Sequence, residues 1–332
     1  MTRPVVVVTH RVHPEILELL GGACDVVPNQ DDDSLPPAEL RRRAASADAL
    51  MVFMPDQIDA DFLDGCPRLR VIAGVLKGCD NIDLQACTDR GIVVTRVEDL
   101  LTEPTAELAV GLLIGLARNV ARGDRRVRDG FPGWRPVLYG RSVVGATVGI
   151  IGAGAVGQAV ARLLRGFDAH LLYSDPQTVP PQVAEPLGLS HAPQAELLKS
   201  SDVVVVCAPL LPSTTHLLDR AALSSIRPGA LLVNVGRGSV VSEEAVAELL
   251  HTGQLGGYAA DVFEFEDLSR PGRPRGVHPT LLELDEKTLF TPHLGSAVGS
   301  VRSSIEERAA HCIMRALAGD VPVGAVDRAD NG

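Results

Sequence analysis

The sequence predicts an α/β protein whose strands pair into parallel sheets covered by helices, and three observations predict it. Short β-branched runs alternate with helix-period segments from the first residues onward. The alternation is interrupted by an apolar helical stretch near residue 102 and restarts near residue 146, so the 332 residues read as two domains, as their number favours. Hydrophobic residues make up 45% of the chain and charged residues 22%, a composition that excludes a mostly disordered polypeptide.

In chain order, strands are expected at 5–9, 25–28, 49–54, 69–74 and 92–95, where Val and Ile cluster. Helices are expected between the early ones, at 14–20, closed by Gly21-Gly22, and at 37–45. At 102–118, Thr102 stands as an N-cap with Glu103 and Glu107 behind it, followed by ELAVGLLIGLA. A helix that apolar on every side is expected to be buried on several sides, between domains or subunits. Its basic continuation (Arg118, Arg122, Arg125, Arg126 and Arg128, broken by Asp124 and Asp129) reads as a solvated face rather than an anion-binding patch. The second series has strands at 147–151, 169–174, 202–207, 230–235 and 255–260, with helices at 155–165 and 242–251. A last helix is expected at 300–318, and the Pro-rich stretches 176–186 and 271–279 are expected as surface loops.

The longest apolar stretch, 108–117, is too short to span a bilayer. The N-terminus enters a Val run with no signal-peptide pattern, and the six cysteines (24, 66, 79, 87, 207, 312) form no CxxC. Reduced thiols, a cytoplasmic location and no metal site are therefore expected. Net charge is −11, from 31 basic and 42 acidic residues, and only 7 Phe, 3 Tyr and 1 Trp are present. These numbers argue against partners such as nucleic acid or an anionic membrane. An anionic substrate would need positive charge concentrated locally.

The segment VGIIGAGAVG (148–157) places Gly152, Gly154 and Gly157 as GxGxxG between an apolar strand and a helix that begins at Ala155-Val156. The first glycine serves the tight turn, the second lets backbone approach a pyrophosphate, and the third lets helix and strand pack closely. The phosphates then sit on free amides at the helix N-terminus. Asp175 closes the next strand, where a carboxylate accepts hydrogen bonds from the ribose hydroxyls and repels a 2′-phosphate. No Arg follows it, so NAD is expected rather than NADP.

Three later segments matter together: Asn234-Val-Gly-Arg237-Gly, Asp261-Val-Phe-Glu-Phe-Glu266 and Thr291-Pro-His293-Leu-Gly-Ser296. In this order behind a GxGxxG, they resemble the D-2-hydroxyacid dehydrogenase family. The resemblance implies that Arg237 binds the substrate anion, His293 is the acid/base and Glu266 orients it. It also implies Asp261 as acceptor for the nicotinamide carboxamide, with Thr105, Cys207, Ala208, Pro209, Val235, His293 and Gly295 lining the cofactor. The chemistry asks for such groups in any case. Arg offers a planar fork to oxyanions, His titrates near neutral pH, and a carboxylate fixes its tautomer.

The family's usual loop is a small residue, Gly, any residue, then Asp-Asn-Ile-Asp. This chain reads Leu76-Lys77-Gly78-Cys79-Asp80-Asn81-Ile82-Asp83, with Lys77 replacing the small residue. With THRVH (9–13), FMPD (53–56), GWRPVLY (133–139), GYAADVFEFED (257–267), GSAV (295–298) and Arg302, the chain is similar to those members of the family that oxidise phosphite. That similarity implies a substrate site of Lys77, Gly78, Arg237, Met54, Trp134, Tyr139, Ser296 and Arg302. Phosphite is largely a dianion near neutral pH, so Lys77 and Arg302 added to Arg237 supply the extra charge it needs, and sulfite is expected to compete. The plain alternatives are an exposed loop lysine at 77 and ordinary packing at 54, 134, 139 and 296. Either His293 is the base for the attacking water, or Arg237 activates it while His293 orients. Two other functions stay open: a glyoxylate, hydroxypyruvate or D-2-hydroxyacid dehydrogenase of the same fold, and a non-enzymatic NAD sensor.

The family's architecture implies two Rossmann-like or flavodoxin-like parallel-sheet domains with the active site in the cleft. Residues 1–102 and 295–332 would form the discontinuous substrate domain and 103–294 the NAD domain, and the whole is expected to be a homodimer.

Overall fold

The computed structural model describes residues 2–97 and 99–326. The chain divides into two compact units, the first comprising residues up to Leu101, Leu268–Pro271 and the chain from Ala297, the second Thr102–Asp267 and Gly272–Ser296. Leu268–Pro271, expected within the second domain, thus groups with the first unit.

The first unit is built on β1 (Val5–Val8), β2 (Asp25–Pro28), β3 (Ala49–Val52), β4 (Val71–Gly74) and β5 (Val93–Thr95), in the spatial order β2-β1-β3-β4-β5. All four pairings are parallel. Strands β3 and β4 are buried at every residue, and so read as continuous apolar runs rather than alternating ones, as inner parallel strands do. Helices Pro14–Gly21 and Gly299–Ala318 cover one face through Ile16, Leu20, Ile305 and Ile313. Helices Pro37–Ala44, Ala60–Asp64 and Leu84–Asp89 cover the other. The strand order reverses between β1 and β3, which makes their carboxyl ends the unit's natural binding crevice.

The second unit holds β6 (Thr147–Ile151), β7 (His170–Ser174), β8 (Leu189–His191), β9 (Val203–Val206), β10 (Ala230–Asn234), β11 (Leu255–Ala260) and β12 (Thr288–Phe290). Their order is β12-β11-β10-β9-β6-β7-β8, again parallel throughout. This is the doubly wound pattern, with its reversal between β6 and β9. Strands β8 and β12, three residues each at the two edges, are not foreseen from the sequence.

Helix Thr102–Ala117 packs on helix Ala155–Leu164 and on β10 and β11, burying Ala106, Ala109, Leu112 and Leu113, while Leu108, Val110 and Ile114 stay partly exposed. It stops before Asn119, whose φ of 56° is left-handed, and a separate helix runs Val120–Arg128. There Arg122 meets Glu286 at 3.3 Å and Arg125 meets Asp285 at 3.4 Å, as befits a solvated face. Among the described residues no helix is long and apolar enough to cross a membrane.

Candidate active site

The glycine loop follows β6 at the switch point. Gly152 has φ +89°, and a Cβ there would lie 2.7 Å from the Ala208 backbone nitrogen. A Cβ on Gly157 would lie 2.2 Å from the Gly152 carbonyl oxygen, so the helix can start this close to the strand only with glycine. A Cβ on Gly154 would meet nothing within 4 Å. That open face, with Gly154 and Ala155 exposed at the N-terminus of helix Ala155–Leu164, fits a pyrophosphate cradle.

Asp175 follows β7. Its carboxylate accepts from the Ala153 amide at 2.8 Å and from the Gln177 amide at 2.9 Å. One bond ties it to the glycine loop and the other shapes its own turn, leaving lone pairs for ribose hydroxyls. Cys207 and Ala208 follow β9 on the far side of the reversal, and the Cys207 amide is held by the Ile151 carbonyl at 2.8 Å. Pro209 beyond them is exposed, and Val235, after β10, is 7% exposed.

The acid–base pair is made at the ends of β11 and β12. His293 Nδ1 lies 2.6 Å from Glu266 Oε2. With the carboxylate on Nδ1, that nitrogen carries the proton, and Nε2 presents the lone pair that accepts or returns one. His293 itself has φ +56°, and its amide donates to the Asp261 carbonyl at 2.9 Å. The Asp261 carboxylate, 1% exposed, accepts from Thr291 Oγ1 at 2.6 Å, Leu294 N at 2.7 Å and Gly295 N at 2.8 Å. Burial pushes the Asp261 carboxyl above the usual carboxylate range, against those donors, which hold it down. Its principal visible work is therefore to fix the turn carrying His293. Thr105, in helix Thr102–Ala117, lies beside that turn, since a Cβ on Gly295 would sit 3.1 Å from Thr105 Oγ1.

Arg237 stands in a loop laid directly on this turn's support. Asn234, fully buried, donates to the Arg237 carbonyl at 3.0 Å and accepts from the Gly236 amide at 3.1 Å. A Cβ on Gly238 would overlap the Phe263 carbonyl carbon at 1.9 Å, so the Arg237 loop and the Glu266 segment are in backbone contact. Sequence reasoning missed Asn234, Thr291 and the structural task of Asp261. A polar residue ending an otherwise apolar strand is the signal that could have found Asn234.

The remaining expected substrate residues divide by unit. In the first, Lys77 and Gly78 follow β4 and are half-buried. Asn81, 3% exposed, donates to the carbonyls of Phe53 at 3.0 Å and Asp56 at 2.7 Å, and so ties the Lys77 loop to the Met54 segment. Arg302 has its guanidinium 5.4 Å from the Phe53 ring centre and 3.6 Å from Glu306 Oε1, and burial lowers its pKa. In the second unit, Ser296 follows the His293 turn. Trp134 and Tyr139 are 83% and 79% exposed within the chain.

Comparison with known proteins agrees with this arrangement. Residues 110–295 match the model of the D-isomer specific 2-hydroxyacid dehydrogenase NAD-binding domain. A glyoxylate reductase of Thermococcus onnurineus (strain NA1) is 35% identical over 332 residues, covering 98% of this chain and 96% of the relative. One from Pyrococcus horikoshii is also 35% identical, with the same coverage. Among solved structures, the Thermus thermophilus protein TT0316 superposes with a TM-score of 0.86 at 34% identity, covering 97% of this chain and all of that one. A D-lactate dehydrogenase from Aquifex aeolicus, complexed with NAD and lactic acid, gives 0.83 at 25% identity, with 97% and 100% covered. The chain belongs to the D-isomer specific 2-hydroxyacid dehydrogenase family. Within it the protein is an NAD-dependent oxidoreductase, and residues 110–295 form its NAD-binding domain.

Proposed function

We propose that this chain oxidises phosphite to phosphate, as a phosphonate dehydrogenase does. Lys77 carries the reading: it stands where the family has a small residue, in the half-buried loop after β4. A monocarboxylate is served by one arginine and backbone amides, whereas a compact dianion asks for a second cation. Arg302 keeps its charge, but Glu306, 3.6 Å away, offsets part of its field at an anion. On this reading Lys77 supplies the second positive charge beside that of Arg237. Bound NAD supplies the hydride acceptor. The oxygen of a water molecule bonds to phosphorus as the hydride leaves, and His293 Nε2 takes a proton from that water.

A second reading, reduction of glyoxylate or a related 2-ketoacid, is favoured by the relatives above, which are named glyoxylate reductase. There His293 gives its proton to the carbonyl oxygen and Lys77 has no dedicated task. The purified protein with NAD and phosphite, and separately with NADH and glyoxylate, decides at 340 nm. Phosphite turnover with a KM that rises strongly in Lys77→Ala, and competition by sulfite weakened in parallel, support the first. Efficient glyoxylate reduction without phosphite turnover overturns it.

We further propose a homodimer. Its support is the run of exposed apolar side chains Val127, Phe131, Trp134, Val137, Tyr139 and Val144. Light scattering that gives a monomer at working concentration would refute it.

A further inference from the structure

We propose that Asp267 is a positioning residue that locks the anion clamp and the acid–base pair into one register. It follows Glu266 in sequence, is 2% exposed, and its Oδ2 accepts from the Ser239 amide at 2.6 Å. Ser239 lies two residues beyond Arg237, in the turn Gly238–Val240 for which Arg237 is the N-terminal residue. One buried carboxylate therefore joins the neighbour of the residue that orients His293 to the loop that presents Arg237.

A second brace lies on the other side of Glu266. The Glu264 carboxylate accepts from the Glu243 amide and the Glu243 carboxylate from the Glu264 amide, each at 2.9 Å. The Glu264 carboxylate also meets His216 Nε2 at 2.8 Å, and the His216 amide donates to the Ser239 carbonyl at 2.7 Å. Glu266 is thus held between two anchored carboxylates, and Asp267 reaches the Arg237 turn directly. Arg237 must meet the anion while His293 meets the transferred proton, so a slip between the two loops separates binding from proton transfer. Misplacement by about 1 Å can cost about 100-fold in rate.

This rests on the roles given above to Arg237, Glu266 and His293, and holds for either substrate. The test compares Asp267→Ala, Asp267→Glu and Asp267→Asn with the wild type, using whichever of phosphite and glyoxylate is turned over. Asp267→Ala and Asp267→Glu should lower kcat/KM roughly tenfold or more, while NADH affinity, read by fluorescence, stays within twofold. Asp267→Asn, which keeps an acceptor oxygen for Ser239, should recover most of the loss. The Nδ1 proton of His293, which faces Glu266 Oε2 at 2.6 Å, should change its NMR chemical shift in Asp267→Ala as that contact is loosened. That readout needs no turnover, so it separates failure of the brace from failure of the substrate assignment. The proposal is overturned if Asp267→Ala leaves both kcat/KM and the His293 Nδ1 proton signal unchanged, or if Asp267→Asn is as impaired as Asp267→Ala. It is also overturned if NADH affinity falls as far as kcat/KM, which would mark a general structural loss.

Discussion

Replacing Asp261 should separate its structural work from the cofactor contact that the family resemblance implies. Its buried carboxylate receives two backbone amides, Leu294 and Gly295, besides the Thr291 hydroxyl. Asp261→Ala orphans both amides. A buried unsatisfied donor costs about 1–3 kcal/mol, so one fully buried amide and one partly buried give a loss of about 2–4 kcal/mol. Asp261→Asn keeps one acceptor oxygen and turns an NH2 toward the other donor, for a loss of about 1–3 kcal/mol. Against a usual total of about 5–15 kcal/mol, either is easily measured by urea unfolding. The pH dependence has a sign. Burial raises the folded carboxyl above its unfolded value, so the wild type is most stable, relative to Asp261→Asn, below the unfolded pKa. Its advantage shrinks as pH rises through the raised folded value. Because the same turn carries His293, kcat/KM should also fall, by about 100-fold for a shift near 1 Å. An Asn variant within about 0.5 kcal/mol of wild type, the scatter of ordinary surface changes, with a normal rate, would refute the structural role.

Asp175→Ala combined with Pro176→Arg should raise NADP use relative to NAD, measured as the ratio of the two kcat/KM values. Absolute NAD efficiency should fall as well, because Asp175 also holds the Ala153 amide. Arg237→Ala should nearly abolish turnover, whereas Glu266→Gln should retain measurable activity with a shifted pH–rate profile, since the proposed mechanism puts Arg237 on the anion and has Glu266 act through His293. Burial pushes the Cys207 thiol up to about 12, so it stays protonated near neutrality. Iodoacetamide at pH 8 should leave it unmodified by peptide mass spectrometry.

The sequence carried much of this architecture because parallel α/β folds write themselves in apolar runs. The Val-Val-Val-Val of β9, buried at all four positions, is unmistakable at any reading. The edge strands β8 (LSH) and β12 (TLF) are not, because three residues, of which only Leu189 is buried, show no period. Short helices such as Ala60–Asp64, capped by the Asp59 side chain, are likewise set by a turn and its surroundings more than by pattern. At the site, the glycine turn and the pairing of Glu266 with His293 were legible since they are local to short motifs. The holding residues were not. Asn234, Asn81 and Thr291 act through backbone carbonyls or another carboxylate, and apart from the place of Asn234 at the end of an apolar strand, nothing in a linear sequence marks such partners. Trp134 and Tyr139 were singled out only by a resemblance, and their exposure within the chain is not something a motif states.

The left-handed backbone at His293 narrows the choice of an inactive but intact enzyme. At φ +56° a β-branched or bulky side chain is strained, while Asn, Asp and Gly settle there readily. Asn at 293 therefore removes the titrating imidazole while leaving the chain a conformation it adopts without protest. It also keeps the backbone bond from residue 293 to the Asp261 carbonyl, which does not depend on the side chain. For trapping a substrate beside bound NAD in a crystal, His293→Asn is the preferred substitution, and Val or Ile at this position would report on a distorted turn instead.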